Sequence, residues 1–140
     1  MRKPHPTWGL FALLITMSAL AGKNGPWAEI KLDGDTNETL GEYRTVLVAI
    51  DGSREIVAKA LYELQPGRTR LQLASRKRGK SGEMTSLPYE IELKPCVRYL
   101  FVADHAQQTE TRRWRPVVKS EEPIKACVKR FGTAGTGEES

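Results

Sequence analysis

The stretch "LQPGRTRLQLASRK", Leu64 to Lys77, decides how the rest of the chain is read. Gln65-Pro66-Gly67 is a turn in which proline pre-sets φ at the first corner and glycine accepts a positive φ at the second. Beyond it Leu71 and Leu73 fall on one side, with Arg70, Gln72 and Arg76 largely on the other. A period of two with one polar side is a strand with one wet face.

The same signature recurs in both directions. Upstream, "WAEIKL" (Trp27 to Leu32) alternates Ala28, Ile30 and Leu32 against Glu29 and Lys31, and is followed by the polar loop "DGDTNETLGE". In "YRTVLVAID" (Tyr43 to Asp51) the residues Val46 to Ile50 form an unbroken apolar run, expected to be a central strand covered on both faces. Asp51-Gly52 then supplies the tight reversal of a hairpin. The next run, "EIVAKALYEL" (Glu55 to Leu64), is expected as a strand, although its Ala, Leu, Glu and Lys content also suits a helix.

Downstream, "RKRGKSG" (Arg76 to Gly82) is expected at a hairpin tip before "MTSLPYEIEL", where Ile91 and Leu93 alternate with Glu90 and Glu92. Lys94-Pro95 turns the chain into "CVRYLFVADHA", whose run Tyr99 to Ala103 is a second doubly covered strand. Trp114 to Lys119 forms the last strand, and Pro116 places it at a sheet edge. No long window has helical periodicity, and there is neither a heptad pattern nor an internal repeat.

Short strands separated by turn signals predict an all-β fold: one immunoglobulin-like or transthyretin-like β-sandwich of about seven strands. The order "VLVAIDG", spacer, "LQPGRTRLQL", "YEIEL" also resembles the PEGA-type module of bacterial extracytoplasmic proteins. Val48, Ile50, Asp51, Gly52, Leu64, Pro66, Gly67, Thr69, Leu71 and Leu73 carry the resemblance. It departs from that family between the two turns, where "REIVAKA" stands in place of the usual Gly-x-Thr-Pro. The resemblance implies a noncatalytic sandwich module of the cell envelope.

Location is read from the N-terminus. Met1-Arg2-Lys3 is a short cationic start, and the uncharged "WGLFALLITMSAL" (Trp8 to Leu20) is too short to span a bilayer as a helix. It closes on Ala19-Leu20-Ala21, a small-x-small cleavage sequence, so residues 1–21 are expected as a secretory signal peptide. Residues 22–131 are expected as the sandwich and 132–140 as a disordered tail. Losing Arg2 and Lys3 lowers the formal net charge of +5 by two, to +3, less than a dedicated nucleic-acid module carries. Export to the periplasm or exterior also removes nucleic acid as a partner.

In that oxidising compartment the two cysteines, Cys96 and Cys127, are expected to form one disulfide. It closes a loop of about 30 residues and constrains the unfolded chain by roughly 3 to 4 kcal/mol. Two cysteines and His105, the one histidine beyond the leader, fall short of a structural zinc site, so neither metal nor cofactor is expected. No nucleotide-binding glycine motif is present. Asp104 neighbours His105, but adjacent strand residues face opposite ways and do not form a catalytic pair there. The chain is not expected to be an enzyme.

Two basic features remain as candidates for binding an anionic partner. One is the tip, with Arg76, Lys77, Arg78 and Lys80; the other is Arg112, Arg113, Trp114 and Arg115, where guanidiniums that grip carboxylate or phosphate flank an aromatic. The expected function is an exported binding or structural module that contacts an envelope protein or an anionic envelope polymer through these loops. The alternative is a secreted inhibitor or effector presenting the basic hairpin to an acidic cleft of a target enzyme.

Overall fold

A computed structural model describes Pro4 and residues 24–108 and 113–132. The signal segment apart from Pro4, Arg112, and the tail beyond Gly132 lie outside the described residues. The strands are β1 (Ala28–Lys31), β2 (Glu42–Ile50), β3 (Leu61–Leu64), β4 (Gly67–Ser75), β5 (Ser86–Leu93), β6 (Val97–Asp104) and β7 (Arg115–Pro123). A short helix, α1 (Lys125–Phe131), follows them. The protein is all-β and sandwich-like, its seven strands joined by one hydrogen-bonded path in the order β3-β1-β6-β2-β4-β5, with β7 on β6.

Strand β2 joins the two layers. Glu42, Tyr43 and Arg44 pair with Asp104, Ala103 and Val102 of β6, whereas Thr45 to Ile50 pair with β4. One strand thus passes from one sheet to the other, the usual way a sandwich makes a corner. The core lies between the layers, with Ala28, Ile30, Tyr99 and Phe101 from one side meeting Leu71, Leu73 and Leu93 from the other. Tyr89 meets the Phe101 ring edge-on at 5.2 Å across this gap.

The apolar run Val46 to Ile50 has a different origin from the one its sequence suggests. A bulge at Val48 sets Leu47 opposite Leu73 and Ile50 opposite Leu71, both core residues, and turns Ala49 to the outer face opposite Gln72. The extra residue reverses the in-out alternation, so apolar residues fall consecutively without complete cover on both faces. Val46 and Val48 are half-buried. Strand β6 comes nearer to the expectation: Tyr99, Phe101, Val102 and Ala103 are buried, and Leu100 is half-buried. The loop after β1 folds over the sheet's outer face, where a Cβ at Gly34 would meet the Leu100 side chain and require it to shift.

The expected strand over Glu55 to Leu64 forms only from Leu61 onward. Asp51 (φ 47°) and Gly52 (φ 82°) do reverse the chain, with Ile50 and Ser53 exchanging backbone hydrogen bonds of 3.0 and 2.9 Å. The chain then leaves β2 and wraps the Tyr62 hydroxyl, which accepts from the Lys59 amide at 2.9 Å and donates to the Val57 carbonyl at 2.8 Å. Neither strand nor helix can use backbone groups committed to that hydroxyl.

Cys96 and Cys127 form the disulfide, their Cα atoms 5.2 Å apart. It fastens α1 to the start of β6 over a small apolar cluster of Ile124, Trp27 and Val128. Among the described residues, no helix is long and apolar enough to cross a membrane.

Candidate functional site

Both basic features lie at the same end of the sandwich. The residues 76–85 connect β4 to β5 as a hairpin tip, and Arg113 and Trp114 enter β7 beside it. Two contacts join them: Trp114 Nε1 donates to Thr85 Oγ1 at 2.8 Å, and Arg113 Nη1 lies 3.6 Å from Glu83 Oε1.

The tip is braced from within. The Arg76 amide donates to the Arg44 carbonyl at 2.9 Å and the Gly79 amide to the Glu83 carbonyl at 2.9 Å. Arg78 Nη1 reaches the Gly82 carbonyl at 3.1 Å, and Glu83 Oε2 accepts from the Ser81 amide at 2.9 Å. The tip's own carboxylate is therefore spent on its backbone and on Arg113. Lys77 lies with Nζ 4.9 Å from the centre of the Tyr43 ring, a cation–π contact that leaves its charge at the surface.

Beneath the tip is a polar and aromatic brace centred on His105. Its ring is stacked on Trp114 at 6.0 Å and meets Tyr43 edge-on at 5.0 Å. Ser75 Oγ lies 2.6 Å from His105 Nε2 and accepts from the Lys77 amide at 3.2 Å. The Arg113 backbone also takes a hydrogen bond from the ring. Burial, followed by the nearby Lys77 charge, pushes the imidazole below its ordinary 6.5. The ring is therefore held neutral, sharing its Nε2 hydrogen bond with the Ser75 hydroxyl.

A serine bonded to a histidine invites comparison with a nucleophile and its base, but Ser75 is completely buried. The neighbouring Asp104 carboxylate does not orient His105. It accepts from the Ala106 amide at 2.9 Å and from Arg115 Nε at 3.0 Å, and these bonds, the Ala106 one first, hold it below its ordinary value. The group ties β4, β6 and the start of β7 together under the tip.

The candidates from sequence thus divide. Arg76, Lys77, Arg78 and Lys80 are exposed on the tip, and Arg113 beside it is exposed and paired. Trp114 is only 2% exposed, a core residue that cannot offer its ring to a partner. Arg115 is paired with Asp104, while Arg112 lies outside the described residues. Sequence reasoning missed the Ser75–His105 contact, which joins residues separated by 30 positions with no local pattern between them.

Comparison with protein-family models, with curated proteins and with solved structures finds no match to this chain.

Proposed function

We propose that this protein is an exported, noncatalytic binding module that engages an anionic envelope partner through the basic end of its sandwich. One observation carries the reading. Among the described residues, the six ion pairs neutralise Arg68, Lys94, Arg98, Arg113, Arg115 and Lys119, and none involves Arg76, Lys77, Arg78 or Lys80. Those four cations stand exposed together on one internally braced loop. A preordered cationic surface loses little conformational freedom when it meets an anion.

Export follows from the cationic, apolar, small-residue order of positions 1–21, and the Cys96–Cys127 bond is compatible with it. The resemblance to PEGA-type modules points the same way. A noncatalytic role is supported by the burial of Ser75 and by the engagement of Asp104 away from His105.

The test is the salt dependence of binding to solubilised envelope components. Affinity should fall steeply as salt rises, and should be lost when Arg76, Lys77, Arg78 and Lys80 are all changed to Ala. Binding that ignores salt, or that survives the quadruple change, would refute the proposal.

A further inference from the structure

The partner's chemistry can be taken further, on the reading just given. We infer that the tip docks the protein onto a membrane surface bearing anionic phosphate headgroups, with Met84 entering the interfacial layer.

Residues 76–78 and 80–86 are all exposed, so the loop presents its cations to solvent along nearly its whole length. A concavity of about 570 Å³ does exist, but it lies further back along β4, lined by Asp51, Arg54, Arg70 and Gln72. A small anion is best held by convergent donors and a polymer by a groove that tracks it. A plane of headgroups accepts cations spread along a loop, each reaching its own phosphate on a flexible stem.

Met84 is 42% exposed at the β5 end of this charged loop, an unbranched apolar side chain flanked by Glu83 and Thr85. Against a soluble polyanion it gains nothing, whereas at a bilayer it leaves water for the boundary between headgroups and acyl chains. Glu83, the acid that would be repelled by the surface, is occupied by Arg113 and the Ser81 amide. The remaining cations are thus not cancelled locally. Arg44 adds to the same side, since its carbonyl accepts from the Arg76 amide and its own side chain is exposed.

The loop is also fixed at both of its ends. Ser75, at the base of the tip, is held by His105, and Thr85, at its other end, by Trp114. Both stems of the hairpin are anchored to the sandwich, so the loop carries its cations and Met84 on one ordered segment. Each Lys or Arg brought close to an anionic surface strengthens binding about fivefold, and the effect decays within a Debye length.

The experiment uses the exported, oxidised protein in co-sedimentation with vesicles. One set contains about a third phosphatidylglycerol in phosphatidylethanolamine, a second is wholly phosphatidylcholine, and a soluble polyanion, heparin, serves as a separate ligand. The inference expects binding to the anionic vesicles, none to the neutral ones, and release in concentrated salt. It also expects a loss of roughly several hundredfold for the Ala variant of Arg76, Lys77, Arg78 and Lys80. Met84→Ser should weaken vesicle binding severalfold and leave heparin binding unchanged. Matched thermal melts of each variant keep loss of folding apart from loss of binding.

Capture of heparin through the same four residues without vesicle binding would overturn the membrane inference and leave the proposed anionic-binding function standing. Binding to neither ligand would overturn both. Vesicle binding that persists in the quadruple variant, or is equal on neutral lipid, would assign membrane contact to another part of the chain and sink the inference.

Discussion

The two ends of the sandwich are closed by opposite means. At one end Cys96 and Cys127 are joined covalently, the Cys96 amide donates to the Trp27 carbonyl at 2.7 Å, and Phe131 of α1 meets the Trp27 ring edge-on at 6.2 Å. At the other end no covalent link exists among the described residues. His105, Ser75, Trp114 and Thr85 hold the chain by hydrogen bonds and ring contacts. The disulfide itself does not titrate, whereas the other end contains an imidazole whose proton affinity burial lowers. The exposed, unpaired cations of the tip stand at that second end. On the proposed function, structural security falls to one region and contact with a partner to the other.

The comparison breaks most visibly at Trp114. Trp114→Ala removes a buried ring and leaves Thr85 without its donor, so it should cost about 3 to 5 kcal/mol in urea unfolding and loosen the tip. Opening the other end by changing Cys96 and Cys127 together to Ser should cost roughly 3 to 4 kcal/mol, yet leave binding through the tip intact while the protein is folded. If the cysteine variant lost binding as fully as the Trp114 variant, the separation of roles would be wrong.

Gly34→Ala drives a methyl group into Leu100 and should destabilise by about 1 to 3 kcal/mol, a change that lies between the two ends and should affect neither preferentially.

Acid should act on the His105 end first. Because the folded ring holds its proton more weakly than the ordinary 6.5, the unfolded chain takes up more protons as pH falls. That contribution to stability is full above 6.5 and is lost as the pH drops from there toward the folded value. Asp104 and Glu42, held below 3.8 and 4.5 by their hydrogen bonds, lose theirs only below those values. Thermal melts between pH 7.5 and 5.5 should therefore show a decline that is absent in His105→Gln, and an equal decline in both proteins would refute the assignment. Smallest of all, Lys77→Ala gives up an exposed cation–π contact worth about 0.5 to 1 kcal/mol.

Much of the fold was legible because strand alternation and turn chemistry are local. The bend at Pro66 between β3 and β4, the hairpin tip after Ser75 and the largely buried Tyr99 to Ala103 run all follow from residues within a few positions of one another. What escaped reading depends on distant partners. The parallel pairing of Glu29 to Lys31 with Arg98 to Leu100 has no local signature. The bulge at Val48 disguises an in-out strand as a continuous apolar one. Helix α1 has only seven residues and is held by one buried cysteine, too little for a periodic pattern to emerge. At the site, charge was visible and burial was not. The same run of residues 112–115 reads as one basic-aromatic cluster, while folding sends Trp114 inward and pairs Arg113 and Arg115 with carboxylates.

If binding belongs to the end closed without a covalent bond, two matched variants assayed side by side for capture of envelope components at low salt will separate the two ends. One carries Ala at Arg76, Lys77, Arg78 and Lys80 of the tip, and the other carries Ala at Lys94, Lys125, Lys129 and Arg130, exposed cations near the disulfide. Each removes four positive charges. The account predicts that the tip variant loses capture and the disulfide-end variant keeps it. Equal behaviour of the two, or loss confined to the disulfide end, would contradict it.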